Sequence, residues 1–145
     1  MVVHSAQLRR LSATVGAGLL VYVRNGVATF GLPPELLAAD PDVHKALQKS
    51  KVTYIPKVWL RDLGHYPDLV YEIHLSVHPD LQGKGYAAKM LQALALKLRK
   101  PLWLMKSRVI NPHVYSVVRK LEADPLMTVT PIEYDGDVQG WVLTA

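Results

Sequence analysis

Cysteine is missing from the 145-residue sequence, and with it go disulfide frameworks, zinc–cysteine centres and any thiol nucleophile. That absence leaves the redox compartment undetermined, with the cytoplasm as the expected location. Long apolar runs are missing too. None approaches the roughly 18 to 20 residues that a membrane-spanning helix needs, so no membrane partner is expected. The run "LSATVGAGLLVYV" behind Arg9 and Arg10 imitates a charged leader and its hydrophobic segment. No small-residue cleavage pattern follows before "RNG", and a helix end followed by a strand is the expected structure. His4, His44, His65 and His113 are dispersed, with no H-x-x-x-H and no histidine–carboxylate cluster at ligand spacing, so no metal site is expected.

What is present is a normal core and an excess of cations. Half of the residues are hydrophobic, enough for one ordinary domain over residues 1–145. Lys and Arg number 17 against 12 Asp and Glu, a formal charge of +5, which favours anionic partners such as a phosphorylated cofactor or nucleic acid. The cations are scattered, with short clusters only at Arg9-Arg10 and Lys97 to Lys100. That scatter argues against a nucleic-acid stripe, and only "YIPKVWLR" interleaves aromatics with cations as a single-strand-binding face would.

Spacing predicts the elements. "SAQLRRLSAT", residues 5 to 14, has a brief helical period. "GLLVYVRNGVATFG" places two β-branched and aromatic runs around Asn25-Gly26, the preferred pair for a type I′ hairpin turn, so strands are expected at about 19–24 and 27–31. In "PPELLAADPDVHKALQKS", Pro33 and Pro34 open a helical stretch that Pro41 divides in two. "KVTYIPKVWLRD" and "DLVYEIHLSVHP" alternate as strands joined by "LGHYPD", and Pro56 marks a bulge or an exposed edge in the first. Ala87, Met90, Leu91, Leu94, Ala95 and Leu98 recur at steps of three and four, an amphipathic helix that ends near Lys100-Pro101. "PLWLMKSRV" is a short strand, and "NPHVYSVVRKLEAD" a helix with Asn111 as N-cap and Pro112 at its first position. "LMTVTPIEYDGDVQGWVLTA" reads as two strands around Asp135-Gly136-Asp137. Trp59, Trp103 and Trp141 all fall in strand segments and are expected in the core or on a sheet face. Hairpins mixed with strand–helix–strand crossovers give an α+β, or mixed α/β, fold around one sheet.

The loop between the second long strand and the amphipathic helix holds two glycines within four residues, "HPDLQGKG". A helix start carries unpaired N–H groups and partial positive charge, and glycine lets an oxygen approach the backbone, so this is an anion site in form. It is not a Walker A loop, G-x-x-x-x-G-K-[ST] being absent, nor a G-x-G-x-x-G dinucleotide fingerprint. Gln82-Gly83-Lys84-Gly85-Tyr86-Ala87 resembles the Q/R-x-x-G-x-G/A motif of the GNAT N-acetyltransferase superfamily. "PLWLMKSRVINPHVYSVVRKL" is similar to the family's next strand and the helix that approaches the pantetheine arm, with Asn111 at the place of a frequent asparagine. The resemblance covers about residues 68 to 123. The family's usual tyrosine would fall near Val118, whereas this sequence has Tyr115, and a hairpin ahead of the helical segment departs from the family's N-terminal order.

The resemblance implies a central, mostly antiparallel twisted sheet flanked by helices, with a V-shaped strand opening at an acetyl-CoA site. It implies acetyl-CoA as co-substrate without a metal, and acetyl transfer to an amine by direct attack on the thioester. The acceptor, a small molecule or a protein, does not follow from it. The backbone of Leu75 and Val77 would pair with the pantetheine amides. Gln82, Gly83, Lys84, Gly85, Tyr86 and Ala87 would hold the pyrophosphate mainly through their backbone N–H groups, with Lys84 adding positive charge, and Asn111 would reach the cofactor arm or simply cap its helix.

Glu72 and His74 are two residues apart and therefore share a strand face. Glu72 is either the general base or an ion-paired glutamate. His74 has an imidazole suited to proton transfer near neutrality, and is either a relay or a satisfied sheet histidine. Tyr115 is either the acid that protonates the departing thiolate or a packing residue. Two other classes stand beside the enzyme: a non-catalytic module that keeps the fold for assembly, and a basic nucleic-acid-binding domain. Edge strands near the C-terminus would allow a homodimer.

Overall fold

The computed structural model describes residues 18–106 and 113–145. The helix expected at 5–14 and the cap expected at Asn111 lie outside them. The first hairpin forms as the turn chemistry predicts. β1 (Leu20–Arg24) and β2 (Val27–Gly31) join through Asn25 and Gly26, with φ of 51° and 77°, the left-handed pair that a type I′ turn requires. Two short helices follow, α1 (Pro34–Leu37) and α2 (Pro41–Gln48). Pro41 opens the second, and the Asp40 side chain accepts the Val43 N–H at 3.4 Å, a helix cap.

β3 (Lys51–Lys57) and β4 (Val70–Ser76) pair in antiparallel register from Lys51↔Ser76 to Lys57↔Val70. The expected strand over 51–62 stops early, because Trp59–Asp62 form a short helix, α3. Leu60 buries in a small cluster beneath it, and the Trp59 ring meets Trp103 edge-on at 5.9 Å; that packing overrides the alternation, and Trp59 is a helix residue. Pro56 lies past the two pairs that join β2 to β3, Val27↔Thr53 and Ala28↔Val52, so its missing N–H interrupts no ladder on that side.

A 3₁₀ turn (Pro79–Leu81) leads into α4 (Tyr86–Leu98), then β5 (Leu102–Met105), α5 (His113–Glu122), β6 (Thr128–Tyr134) and β7 (Asp137–Thr144). The seven strands form one sheet in the order β1-β2-β3-β4-β5-β7-β6. Every neighbouring pair is antiparallel except β4–β5, which is parallel with α4 as its crossover. The fold is therefore α+β, as expected. The main core lies between one sheet face and the helices, around Phe30, Leu47, Leu91, Leu94 and Leu121. A smaller cluster of Leu60, Val70, Trp103, Ile132 and Val142 fills the other face beneath α3.

The sheet opens at its parallel joint. β4 and β5 pair only at Tyr71↔Leu102 and Glu72↔Trp103, although β4 runs on to Ser76 and β5 to Met105. Beyond those pairs each strand keeps its other neighbour, β4 with β3 and β5 with β7 through Met105↔Gly140. Gly140 permits the second pairing. A Cβ there would sit on the Leu104 carbonyl oxygen and 2.6 Å from the Trp103 ring. The V-shaped opening is thus present, with Glu72 at its apex.

Candidate active site

The loop after β4 is fixed by its own side chains. The buried Ser50 hydroxyl accepts the His78 N–H at 2.9 Å, and His78 Nδ1 accepts the Asp80 N–H at 3.1 Å, so His78 is a turn organiser. The Gln82 carboxamide donates to the Val77 carbonyl at 3.0 Å and folds the loop back onto the end of β4. Its backbone N–H donates to Pro79 at 3.2 Å, and that of Lys84 to Leu81 at 3.4 Å. Gln82 and Lys84 therefore do not offer the backbone donors expected of them. Gly83, Gly85, Tyr86 and Ala87 do, since their N–H groups have no hydrogen-bond acceptor among the described residues. These donors gather at the N-terminus of α4, where the helix dipole adds positive potential.

Gly85 is the N-cap of α4 at φ +82°, a conformation that costs a residue with a Cβ about 1–2 kcal/mol. A Cβ there would also lie 3.3 Å from Lys120 Nζ, so the Lys120 side chain of α5 reaches across to the helix start. Lys89 Nζ stands 4.3 Å from the centre of the Tyr86 ring, a cation–π contact. Burial first, and then the charge of Lys120, push the Lys89 ammonium below its usual range. The Tyr86 phenol is pushed up by burial and by Asp40. Two ammonium groups that repel each other beside unpaired N–H donors form a site suited to a multiply charged anion.

A cavity of about 410 Å³ runs from this loop into the gap between β4 and β5, with Leu91 of α4 and Val117 of α5 among its walls. It brings together His74, Leu75, Val77, Gln82, Gly83, Gly85, Tyr86 and Ala87. Lys84 is exposed and lies outside the lining. Glu72 is also outside it, 7% exposed, with its Oε2 3.3 Å from His74 Nε2. The shared face expected of that pair is therefore present. Tyr115 is 45% exposed and packs edge-on against Trp141 at 5.8 Å, away from the lining, while its neighbour Ser116 lines the cavity. Ser116 and Lys120 escaped the sequence analysis. Their signal was an i, i+4 pair on one side of α5, in a helix read only for its asparagine and tyrosine.

The model of the Acetyltransferase (GNAT) family matches residues 52–117, from the start of β3 into α5 and across the whole glycine loop. That match supports membership of the GNAT superfamily. Comparison with curated proteins finds no significant match. The GNAT segment supports an acetyltransferase-type function in general terms, and it spans the parallel joint and the gap that follows it. The matched GNAT segment leaves out β1, β2, α1 and α2 before it and β6 and β7 after it. Among the described residues no helix is long and apolar enough to cross a membrane.

Proposed function

We propose that the protein is an acetyl-CoA-dependent N-acetyltransferase. The observation that carries this reading is the alignment of four unpaired backbone donors and Lys120 with a cavity that enters the strand gap. The donor cluster fits a pyrophosphate, and the cavity fits a pantetheine arm. Past Glu72, the β5-facing backbone groups of β4 have no ladder partner among the described residues, so the backbone at Leu75 and Val77 would serve the arm's amides. Acetyl-CoA supplies an activated thioester. The residues supply orientation and proton handling.

Glu72 is the general base, with His74 held against it at 3.3 Å as orienting partner or relay. Glu72 takes one proton from the acceptor ammonium, the freed amine bonds to the acyl carbon as the C–S bond breaks, and a second proton shed by the nitrogen passes to the departing sulfur, so that coenzyme A leaves as the thiol. Tyr115 stays outside this scheme because it packs on Trp141; the Ser116 hydroxyl lies nearer the path of the leaving group.

Calorimetric titration with acetyl-CoA tests the reading. The native chain should bind it, and Gly85→Glu, which sets a carboxylate among the donors, should weaken binding by about 100-fold or more. No binding by the native chain at millimolar ligand would overturn the proposal.

A further inference from the structure

The sheet face away from α4 and α5 carries an arrangement that the scheme above uses at only one carboxylate. Glu72 sits at the last pair before the strands part, and its neighbours across the two ladders are Ile55 on β3 and Trp103 on β5. Adjacent strands lie about 4.8 Å apart, and residues opposite one another share a face. Ile55 and Trp103 therefore flank the carboxylate. Ile55 is 46% exposed. Trp103 is fully buried beneath Trp59 of α3, which packs edge-on against it and is itself 37% exposed. A largely buried carboxylate thus lies between a half-exposed isoleucine wall and a buried tryptophan wall, whose partly exposed cover is Trp59, at the mouth of the gap.

The charge around it is reversed relative to the whole chain. Residues 58–72 and 128–144 carry the carboxylates Asp62, Asp68, Glu72, Glu133, Asp135 and Asp137, and among Lys and Arg only Arg61. Arg61 is paired with Asp62 at 3.4 Å. His65 packs edge-on against Tyr134 at 5.7 Å, which joins the loop after α3 to the β6–β7 hairpin and brings the two acidic segments together. Lys51 and Lys57, opposite Ser76 and Val70, are the cations that β3 adds to this face, and the carboxylates still outnumber them together with Arg61. In a chain with a formal charge of +5, this local excess of carboxylates draws a cation, while the walls favour an apolar body.

We infer that this face is the acceptor site, and that the acceptor is a primary ammonium on a short aromatic or branched apolar body, with Trp59 and Ile55 as specificity-determining residues. The inference rests on the acetyltransferase reading. The ammonium enters toward Glu72 and its substituent lies between the two walls. An amine with further charges along its chain is disfavoured, because those charges would be desolvated against Ile55 and Trp59.

The test is steady-state acetylation of 2-phenylethylamine, spermidine and a lysine-containing peptide by the native chain, Trp59→Ala and Ile55→Ala, with acetyl-CoA affinity measured by calorimetry in each. The native chain should use 2-phenylethylamine with a kcat/KM at least about tenfold above the other two. Both substitutions should raise its KM, about tenfold for Trp59→Ala, and leave acetyl-CoA affinity unchanged, since the loop lies on the other face. If Trp59→Ala also loses acetyl-CoA binding it has lost its fold, and Ile55→Ala decides the matter. Preference for spermidine or the peptide, acetylation of none of the three, or a KM unmoved by the folded variants would overturn the inference while acetyl-CoA binding stands. Failure of the native chain to bind acetyl-CoA would overturn the acetyltransferase reading and the inference with it.

Discussion

The two faces that meet at the strand gap have opposite character. On the helical side, residues 77–100 and 113–123 hold Lys84, Lys89, Lys97, Arg99, Lys100, Arg119 and Lys120 against Asp80 and Glu122. On the other side, α3, the segment that leads into β4 and the β6–β7 hairpin are acidic, with β3 alone adding lysines, and the exposed side chains include Ile55, Trp59 and Tyr134. The cationic face is built from backbone donors and flexible lysines, the acidic face from ladder positions and ring packing. A formal charge of +5 summed over the chain conceals this division, which suits a reaction that takes an anionic partner from one side and a cationic one from the other. The sheet between them is joined at that point by two residue pairs.

If the faces are separable, changes on one should leave the other intact. Glu72→Gln should show the largest effect, a fall in kcat of about 10³-fold with the calorimetric affinity for acetyl-CoA unchanged. Gly140→Val is the counter-case. Its side chain would strike β5 itself at the Leu104 carbonyl and the Trp103 ring, so both faces should fail together, with about 3 kcal/mol lost from the denaturant-unfolding free energy.

Lys120→Met is the mirror of the glutamate change. Acetyl-CoA affinity should fall about tenfold, with a weaker salt dependence and kcat retained at saturation. The same variant sharpens the picture by pH. The folded-state pKa of Lys89 lies below its ordinary 10.5, so between the two values the folded state has shed a proton that the unfolded state keeps, and stability rises with pH there. Removing Lys120 removes the second cause of the shift. The Lys89 pKa, read by NMR of labelled lysine, should climb part of the way back, and the alkaline gain in stability should narrow.

These regions also differ in how far the sequence revealed them. α4 and its loop were legible because their signals are local: apolar steps of three and four, and glycines at the positions where φ is positive. The hairpin at Asn25-Gly26 was legible for the same reason. α3 was not, because the helix at Trp59 answers to Trp103, a partner far along the chain. The gap between β4 and β5 was expected only through the family resemblance, since the alternation of β4 runs unbroken through Ser76 and records nothing of the lost partner. The role of Gln82 was hidden in a similar way. Its motif position suggested a backbone donor, and the bond it makes runs from its side chain to Val77. Lys120 drew no reading in the sequence, and its place becomes apparent only where its ammonium meets the helix start at Gly85.

The narrow parallel joint also bears on how the chain folds. β1 to β4 pair strictly with their neighbours in sequence, and β5, β7 and β6 form a second antiparallel group. The β1–β2 and β6–β7 hairpins close short loops, and contacts of that kind form early. Strand pairing between the groups waits for a crossover through α4 and then gains only two residue pairs. The joint between the groups is thus a short ladder that the crossover has to close, and the gap lies beside it. An apo chain strained at this seam would come apart as two sheets, and a ligand lying across it would act as a rivet.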